Sequence, residues 1–268
     1  MIGKLNNLVM NLRILDNSIL QKRFQPFLLA STEMILSHKH RFIFLKTRKT
    51  AGTSIEIALS KFCDNNDIIT RITEQDEVLR SKLGFRGPQN FLVGPSKYTL
   101  MDILKIIRNG RLRINNHDPA SLLIKYLEKE IFEEYHKFTV VRNPWDMAVS
   151  MYYWQINGPS NQFSSKMSFK DFINNCPIEL LDNSLIYLVE GESIIDTFIK
   201  FENLTNDWRD LVNVIGIEEI DLPRAKTDTR KDKRHYSIIY DDEDVEFIRN
   251  LCGWEIENFG YEFEDKRS

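Results

Sequence analysis

Twice in this chain a short apolar run rich in β-formers ends in a basic turn that leads straight into a helix. The first run is RFIFLK (41–46). It is followed by Thr47-Arg48-Lys49-Thr50-Ala51-Gly52-Thr53-Ser54 and by a helix over Thr53–Phe62, with Ile55, Ala58, Leu59 and Phe62 spaced i, i+3, i+4, i+7. The second is KFTVV (137–141), followed by Arg142 and a helix that Asn143 caps, with Pro144 in its first position and a stripe of Trp145, Ala148, Val149, Tyr152 and Ile156. Further strands are expected at DIITRI (67–72), LIYLVE (185–190) and DTFIKFE (196–202). Helices are expected over Tyr98–Arg108, from Pro119 with Asp118 as cap and Leu123, Leu127 and Ile131 on one face, and near 203–215 and 241–252. Strands alternating with helices predict an α/β fold with a central, mostly parallel sheet flanked by helices.

Composition narrows the class. The 268 residues are 42% hydrophobic and 28% charged, which excludes disordered, collagen-like and low-complexity chains. No apolar run approaches the ~18 residues of a membrane span, and Asn, Arg and Asp interrupt residues 1–30 too often for a signal peptide. Cys63, Cys176 and Cys252 are far apart with no CxxC, which points to a reducing compartment. A soluble, cytoplasmic protein is therefore expected. The net charge of −3 lacks the electrostatic footprint of a nucleic-acid binder. Residues 1–40 read as an irregular or helical extension and 41–268 as the main domain. Residues 73–96, with Gly84, Gly87, Pro88, Gly94 and Pro95, read as a long loop of the kind that often carries function. Residues 224–236 hold six Lys/Arg against two Asp, whereas 240–265 hold ten Asp/Glu against one Arg. The basic stretch is either a solvated loop or a flap over an anionic ligand.

Both basic turns suit an anion. Helix-start N–H groups and the helix dipole favour negative charge. In the first turn Thr50, Thr53 and Ser54 offer hydroxyls and Lys49 a mobile cation. It is not a Walker A loop, because Lys49 precedes Gly52 and no glycine occurs in 41–48. In the second, Arg142 is able to grip a phosphate with a fork of N–H donors. At ~100° per residue, Ser150 lies roughly 140° from the centre of the apolar stripe and faces away from the core. Taken singly, each turn also reads as a capped helix behind a surface cation. Together, at the carboxyl edge of a parallel sheet, they suit a ligand with two separated phosphates. His117 precedes the Asp118-Pro119 helix start, which disfavours imidazolium. Near pH 7 it is expected to be neutral and able to take a proton, unless it is only a capping residue.

RKTAGTSIE (48–56) resembles the 5′-phosphosulfate-binding loop of the carbohydrate sulfotransferases, in the heparan 2-O-sulfotransferase-like branch with its bacterial and phage relatives. FTVVRNPWDMAVSMYYW (138–154) resembles that family's 3′-phosphate-binding strand and helix, and NNHDPASLL (115–123) the segment presenting its histidine base. FIKFENL (198–204) and NFGYEF (258–263) fit its C-terminal half. The resemblance spans roughly 41–263. It implies a P-loop-like α/β domain that moves a sulfuryl group from 3′-phosphoadenosine 5′-phosphosulfate (PAPS) to an acceptor hydroxyl on a saccharide, leaving the bisphosphate PAP and using no metal. Carried over by resemblance, Lys49 contacts the phosphosulfate, Thr50, Thr53 and Ser54 bind the same phosphate, Arg142 and Ser150 hold the 3′-phosphate, and His117 is the base. Arg234 resembles a position in the loop that closes over the nucleotide. Arg48 stands where relatives often have Pro, and so becomes an extra donor ligand. Gly52 stands where some have Ser, and offers a backbone N–H instead. The competing classes are a P-loop kinase or nucleotide hydrolase, which requires Mg²⁺ and ATP, and a non-catalytic module that binds PAP or glycans.

Overall fold

The structure, a computed structural model, describes residues 34–92, 120–158, 163–223, 230 and 232–267. Along the chain these form β1 (Met34–Ser37), β2 (Phe42–Leu45), α1 (Gly52–Ser60), β3 (Ile68–Ile69), α2 (Glu74–Lys82), α3 (Ala120–Tyr126), α4 (Lys129–Glu134) and β4 (His136–Val141). There follow α5 (Pro144–Asn157), α6 (Phe169–Asn175), α7 (Ser184–Tyr187), β5 (Leu188–Val189), β6 (Glu192–Ser193), β7 (Thr197–Lys200), α8 (Leu204–Val214), α9 (Asp242–Leu251) and α10 (Gly253–Phe259). The described residues fall into two compact units. One comprises those from 34 to 142 and from 183 to 223, the other those from 143 to 182 and from 230 to 267.

The first unit is built on a five-stranded sheet in the order β3-β1-β2-β4-β7. β2 pairs parallel with β4 and β4 with β7, while β1 runs antiparallel to both β2 and β3. Four strands therefore point one way and β1 alone is reversed, giving a mixed, mostly parallel α/β sheet. Side chains alternate across β2 as strand geometry requires. Phe42 and Phe44 join Phe138, Val140 and Ile199 under Ile55, Ala58 and Leu59 of α1 and Trp208, Leu211 and Val212 of α8. Ile43 and Leu45 join Met34, Leu36 and Leu123 on the opposite face. Apolar burial on both faces explains why β2 and β4 read as continuous apolar runs.

In the second unit, Asn143 caps α5 as expected, its Oδ1 accepting from the N–H of Trp145 at 3.1 Å and of Asp146 at 3.3 Å. The stripe Trp145, Ala148, Val149, Tyr152 and Ile156 is buried against Phe169, Phe172, Tyr240, Val245 and Ile248. Among the described residues, no helix is long and apolar enough to cross a membrane.

The structure corrects several expectations. Residues 34–37, expected to be irregular or helical, form β1 and sit inside the sheet. Residues 74–82 of the expected long loop are α2, started by Thr73, whose Oγ1 accepts from Asp76 N while donating to its carboxylate at 2.6 Å. LIYLVE is not one strand: α7 takes its first half and β5 only Leu188–Val189. In a strand Leu185 and Tyr187 would share a face, yet Leu185 is exposed and Tyr187 fully buried. DIITRI contributes only the two residues of β3. The helix expected from Pro119 breaks at Glu128 into α3 and α4, although Leu123, Leu127 and Ile131 still share one cluster. Tyr98–Arg108, His117, Asp118 and residues 224–229 lie outside the described residues.

Candidate functional site

Because β2, β4 and β7 are parallel neighbours, their carboxyl ends share one edge of the first unit. From that edge leave the turn 46–51, Arg142 and Phe201, the last in a single 3-10 turn, Phe201–Asn203. The first turn is tightly wound. Lys49 and Ala51 both take left-handed backbone angles, with φ of 62° and 63°. Ala51, at the N-cap of α1, provides no side-chain cap. Non-glycine residues in this region cost of order 1 kcal/mol each and persist only where the surroundings impose them. Turns of this kind gather N–H groups into an anion-binding concavity, and the α1 dipole adds to it.

Three sets of hydrogen bonds impose that conformation. Asn183, 2% exposed, accepts from Arg48 N at 2.8 Å and donates to Arg48 O at 3.0 Å. The Thr47 and Thr50 hydroxyls lie 2.9 Å apart, and Thr47 donates to the Val140 carbonyl. Arg142 donates from Nη1 to the Lys49 carbonyl at 2.6 Å while its guanidinium carbon lies 4.1 Å from the centre of the Phe201 ring. Lys49 and Arg142, chosen from two separate sequence turns, are thus brought together. Thr50 has its hydroxyl directed to Thr47, so it faces the inside of the turn rather than the edge.

Beneath the turn runs Lys46. Its Nζ donates to Thr53 Oγ1 at 2.7 Å and lies 3.4 Å from Glu56. Its stem explains Gly52: a Cβ there would stand 2.4 Å from Lys46 Cγ. Ser54 is buried one residue further along α1, its N–H donating to Ala51 O at 3.0 Å. Sequence reasoning missed Lys46, Thr47, Asn183, Glu56 and Phe201. A lysine closing an apolar strand just before a basic turn was a usable signal for Lys46. Asn183 stands 135 residues from its partner and had none.

Ser150 and Arg234 belong to the second unit. Ser150 is half-buried on α5, on one helical face between Asp146 and Tyr153. Both of those neighbours engage the basic segment. Arg230 Nη1 lies 3.1 Å from Asp146 and its Nη2 donates to Arg234 O at 2.5 Å. Tyr153 donates to Asp232 Oδ2 at 3.1 Å. Arg234 pairs with Asp232 at 2.7 Å, and its guanidinium holds that carboxyl well below the usual carboxylate range. Burial first, then the hydrogen bond to Asp232, raises the Tyr153 phenol. The two residues that flank Ser150 on that face thus hold Arg230 and Asp232, and the Arg234 side chain is 67% exposed. Elsewhere in this unit Asp182, Cys252 and Glu255 present ligand atoms within 4.8 Å of one another. Burial raises the Cys252 thiol well above its usual range, and the S–H donates to Leu181 O at 3.3 Å, so this trio has the chemistry of packing rather than of a thiolate metal site.

No curated protein and no solved structure matches the chain. The model of the family described as "Sulfotransferase family" matches residues 32–262. That span takes in β1, both basic turns, α5 and the 230–234 segment, and on it the chain belongs to the sulfotransferase family, whose chemistry is sulfuryl transfer.

Proposed function

We propose that the chain is a PAPS-dependent sulfotransferase acting on a carbohydrate hydroxyl. The N–H groups of residues 49–53, with Thr53 and Ser54, bind the 5′-phosphate, while the Arg48 N–H is held by Asn183. Thr50 contributes through its backbone, because its hydroxyl is engaged by Thr47. Arg48 and Lys49 supply positive charge, and Lys49 stabilises the phosphate oxygen from which the sulfuryl group departs. Arg142 and Ser150 hold the 3′-phosphate, and Arg234 belongs to the segment that closes over the nucleotide. His117 removes the acceptor proton as the new sulfur–oxygen bond forms and the bond from sulfur to the bridging oxygen breaks, leaving PAP.

Donors preorganised toward the developing charge are typically worth 10²–10³ in rate each, and a general base 10²–10⁴. The sulfuryl group carries less charge than a phosphoryl group, so protein cations suffice where kinases use Mg²⁺. A net charge of −3 favours a neutral or short saccharide over a highly sulfated polymer.

The observation that carries this reading is the Arg142–Lys49 hydrogen bond at the carboxyl edge, which joins the two cationic turns. The test is incubation with labelled PAPS and a panel of glycans, read by mass spectrometry. Label transfer that fails in Lys49→Ala and His117→Ala supports the reading. Label that stays on the donor with every hydroxyl acceptor, or transfer that survives Lys49→Ala, refutes it.

A further inference from the structure

Among the described residues of the second unit, four donors converge on the Asp232 carboxylate. Its Oδ1 accepts from the Arg234 N–H at 3.0 Å. Arg234 Nε lies 3.1 Å from both oxygens. Oδ2 also accepts from Arg234 Nη2 at 2.7 Å and from the Tyr153 hydroxyl at 3.1 Å. A backbone N–H, a fork of guanidinium N–H groups and a hydroxyl are the donors that hold phosphate oxygens. The side chains of Asp232 and Arg234 are 24% and 67% exposed, so an ion from solvent can reach them.

The backbone that presents these donors is held by other contacts. Arg230 donates from Nε to Asp232 O at 2.8 Å and from Nη2 to Arg234 O at 2.5 Å. Its Nη1 lies 3.1 Å from Asp146 of α5, and its guanidinium carbon 5.9 Å from the centre of the Tyr153 ring. An ion pair between side chains two residues apart, one of them largely exposed, adds little to stability. Stability is therefore a weak reason for the Asp232 carboxylate to occupy all four donors. Tyr153 stands three residues beyond Ser150 on α5, on the same helical face.

We propose that Asp232 is an internal anion that the 3′-phosphate of the nucleotide displaces, with Tyr153 and Arg234 passing from the carboxylate to the phosphate. This rests on the PAPS reading. It adds Tyr153 to the residues that read the 3′-phosphate and makes Asp232 a brake on how tightly that end is held. Removing the Asp232 charge then strengthens binding, whereas removing a purely structural carboxylate weakens it or leaves it unchanged.

The test compares PAP with adenosine 5′-phosphate, which lacks the 3′-phosphate, by calorimetry on the full chain. Wild type is expected to prefer PAP. Asp232→Asn keeps an oxygen acceptor and loses the competing charge. PAP should bind it about two- to fivefold more tightly, the worth of an exposed ion pair, and adenosine 5′-phosphate should bind as to wild type. Tyr153→Phe separates exchange of donors from a general effect of charge. In wild type one anionic acceptor replaces another, so loss of the phenol should change PAP affinity less than about twofold. In Asp232→Asn the phenol trades a neutral acceptor for a charged one, so the same loss should cost about fivefold. Asp232→Ala replaces the asparagine variant if that does not fold, with the same direction expected. Weaker or unchanged PAP binding in the Asp232 variant, an equal gain for adenosine 5′-phosphate, or an equal cost of Tyr153→Phe in both backgrounds overturns the inference. A wild-type protein with no preference for PAP overturns the PAPS reading itself.

Discussion

Asn183→Ala isolates the device that holds the first turn. Asn183 stands at the N-cap of α7 but makes no side-chain cap there. Its amide is committed to Arg48, accepting at 2.8 Å and donating at 3.0 Å. Truncation therefore costs α7 no side-chain cap and leaves one N–H and one C=O of a buried segment without their partner. Each such group is worth about 1–3 kcal/mol, so the loss should be about 2–6 kcal/mol, toward the lower end where water enters the vacated space. For a chain of this size that is roughly a 5–20 °C fall in Tm. Urea unfolding followed by circular dichroism should show a lower midpoint at unchanged slope. Asn183→Asp keeps the acceptor, loses the donor and sets a carboxylate against the Arg48 carbonyl, so it too should be destabilised. PAP affinity should fall in both, because Lys49 follows Arg48 directly. A loss under about 0.5 kcal/mol in Asn183→Ala, or an Asn183→Asp variant as stable as wild type, would refute the reasoning.

Three further outcomes are expected. Gly52→Ala should displace the Lys46 stem, cost about 1–3 kcal/mol by overpacking and weaken PAP binding; wild-type stability and affinity in the purified variant would count against the close approach. Lys49→Gly should hold or raise Tm by relieving the left-handed backbone, yet cut sulfuryl transfer about 10²–10³-fold, measured by product mass spectrometry beside a melting curve. Burial, reinforced by the Asp241 carboxylate, lifts Asp244 to about 6. The folded state then binds that proton more tightly than the unfolded chain, so this group's contribution to stability should grow by about 1–3 kcal/mol as pH falls from above 6 toward 4. Comparing the pH dependence of unfolding in Asp244→Asn and wild type checks this, and identical profiles would contradict it.

Legibility tracked how local the physics was. The apolar runs of β2 and β4 and the Asn143–Pro144 start of α5 were readable because strand burial and helix capping act within a few residues. α2 was hidden by the Gly and Pro residues that follow it, although Thr73 and Asp76 carry a capping signature three residues apart. LIYLVE misled because a short apolar run is equally compatible with a strand and with a buried helical turn. The two cationic turns were found from residue type and position. The internal engagement of the Thr50 hydroxyl was not, since its partner hydroxyl is tied to a carbonyl on β4.

Residue order alone was enough for the α/β class, for both strand-to-helix turns and for Lys49 and Arg142 as their cations, because propensity, capping and charge are written over short stretches of chain. That Lys49 and Arg142 meet required the folded sheet: the parallel pairing of β2 with β4 brings residues 93 positions apart within 2.6 Å. The same holds for Asn183 and for the ion pairs that join Lys46 and Arg80 to Glu56. Contacts between distant segments depend on strand order and burial, which no local pattern encodes.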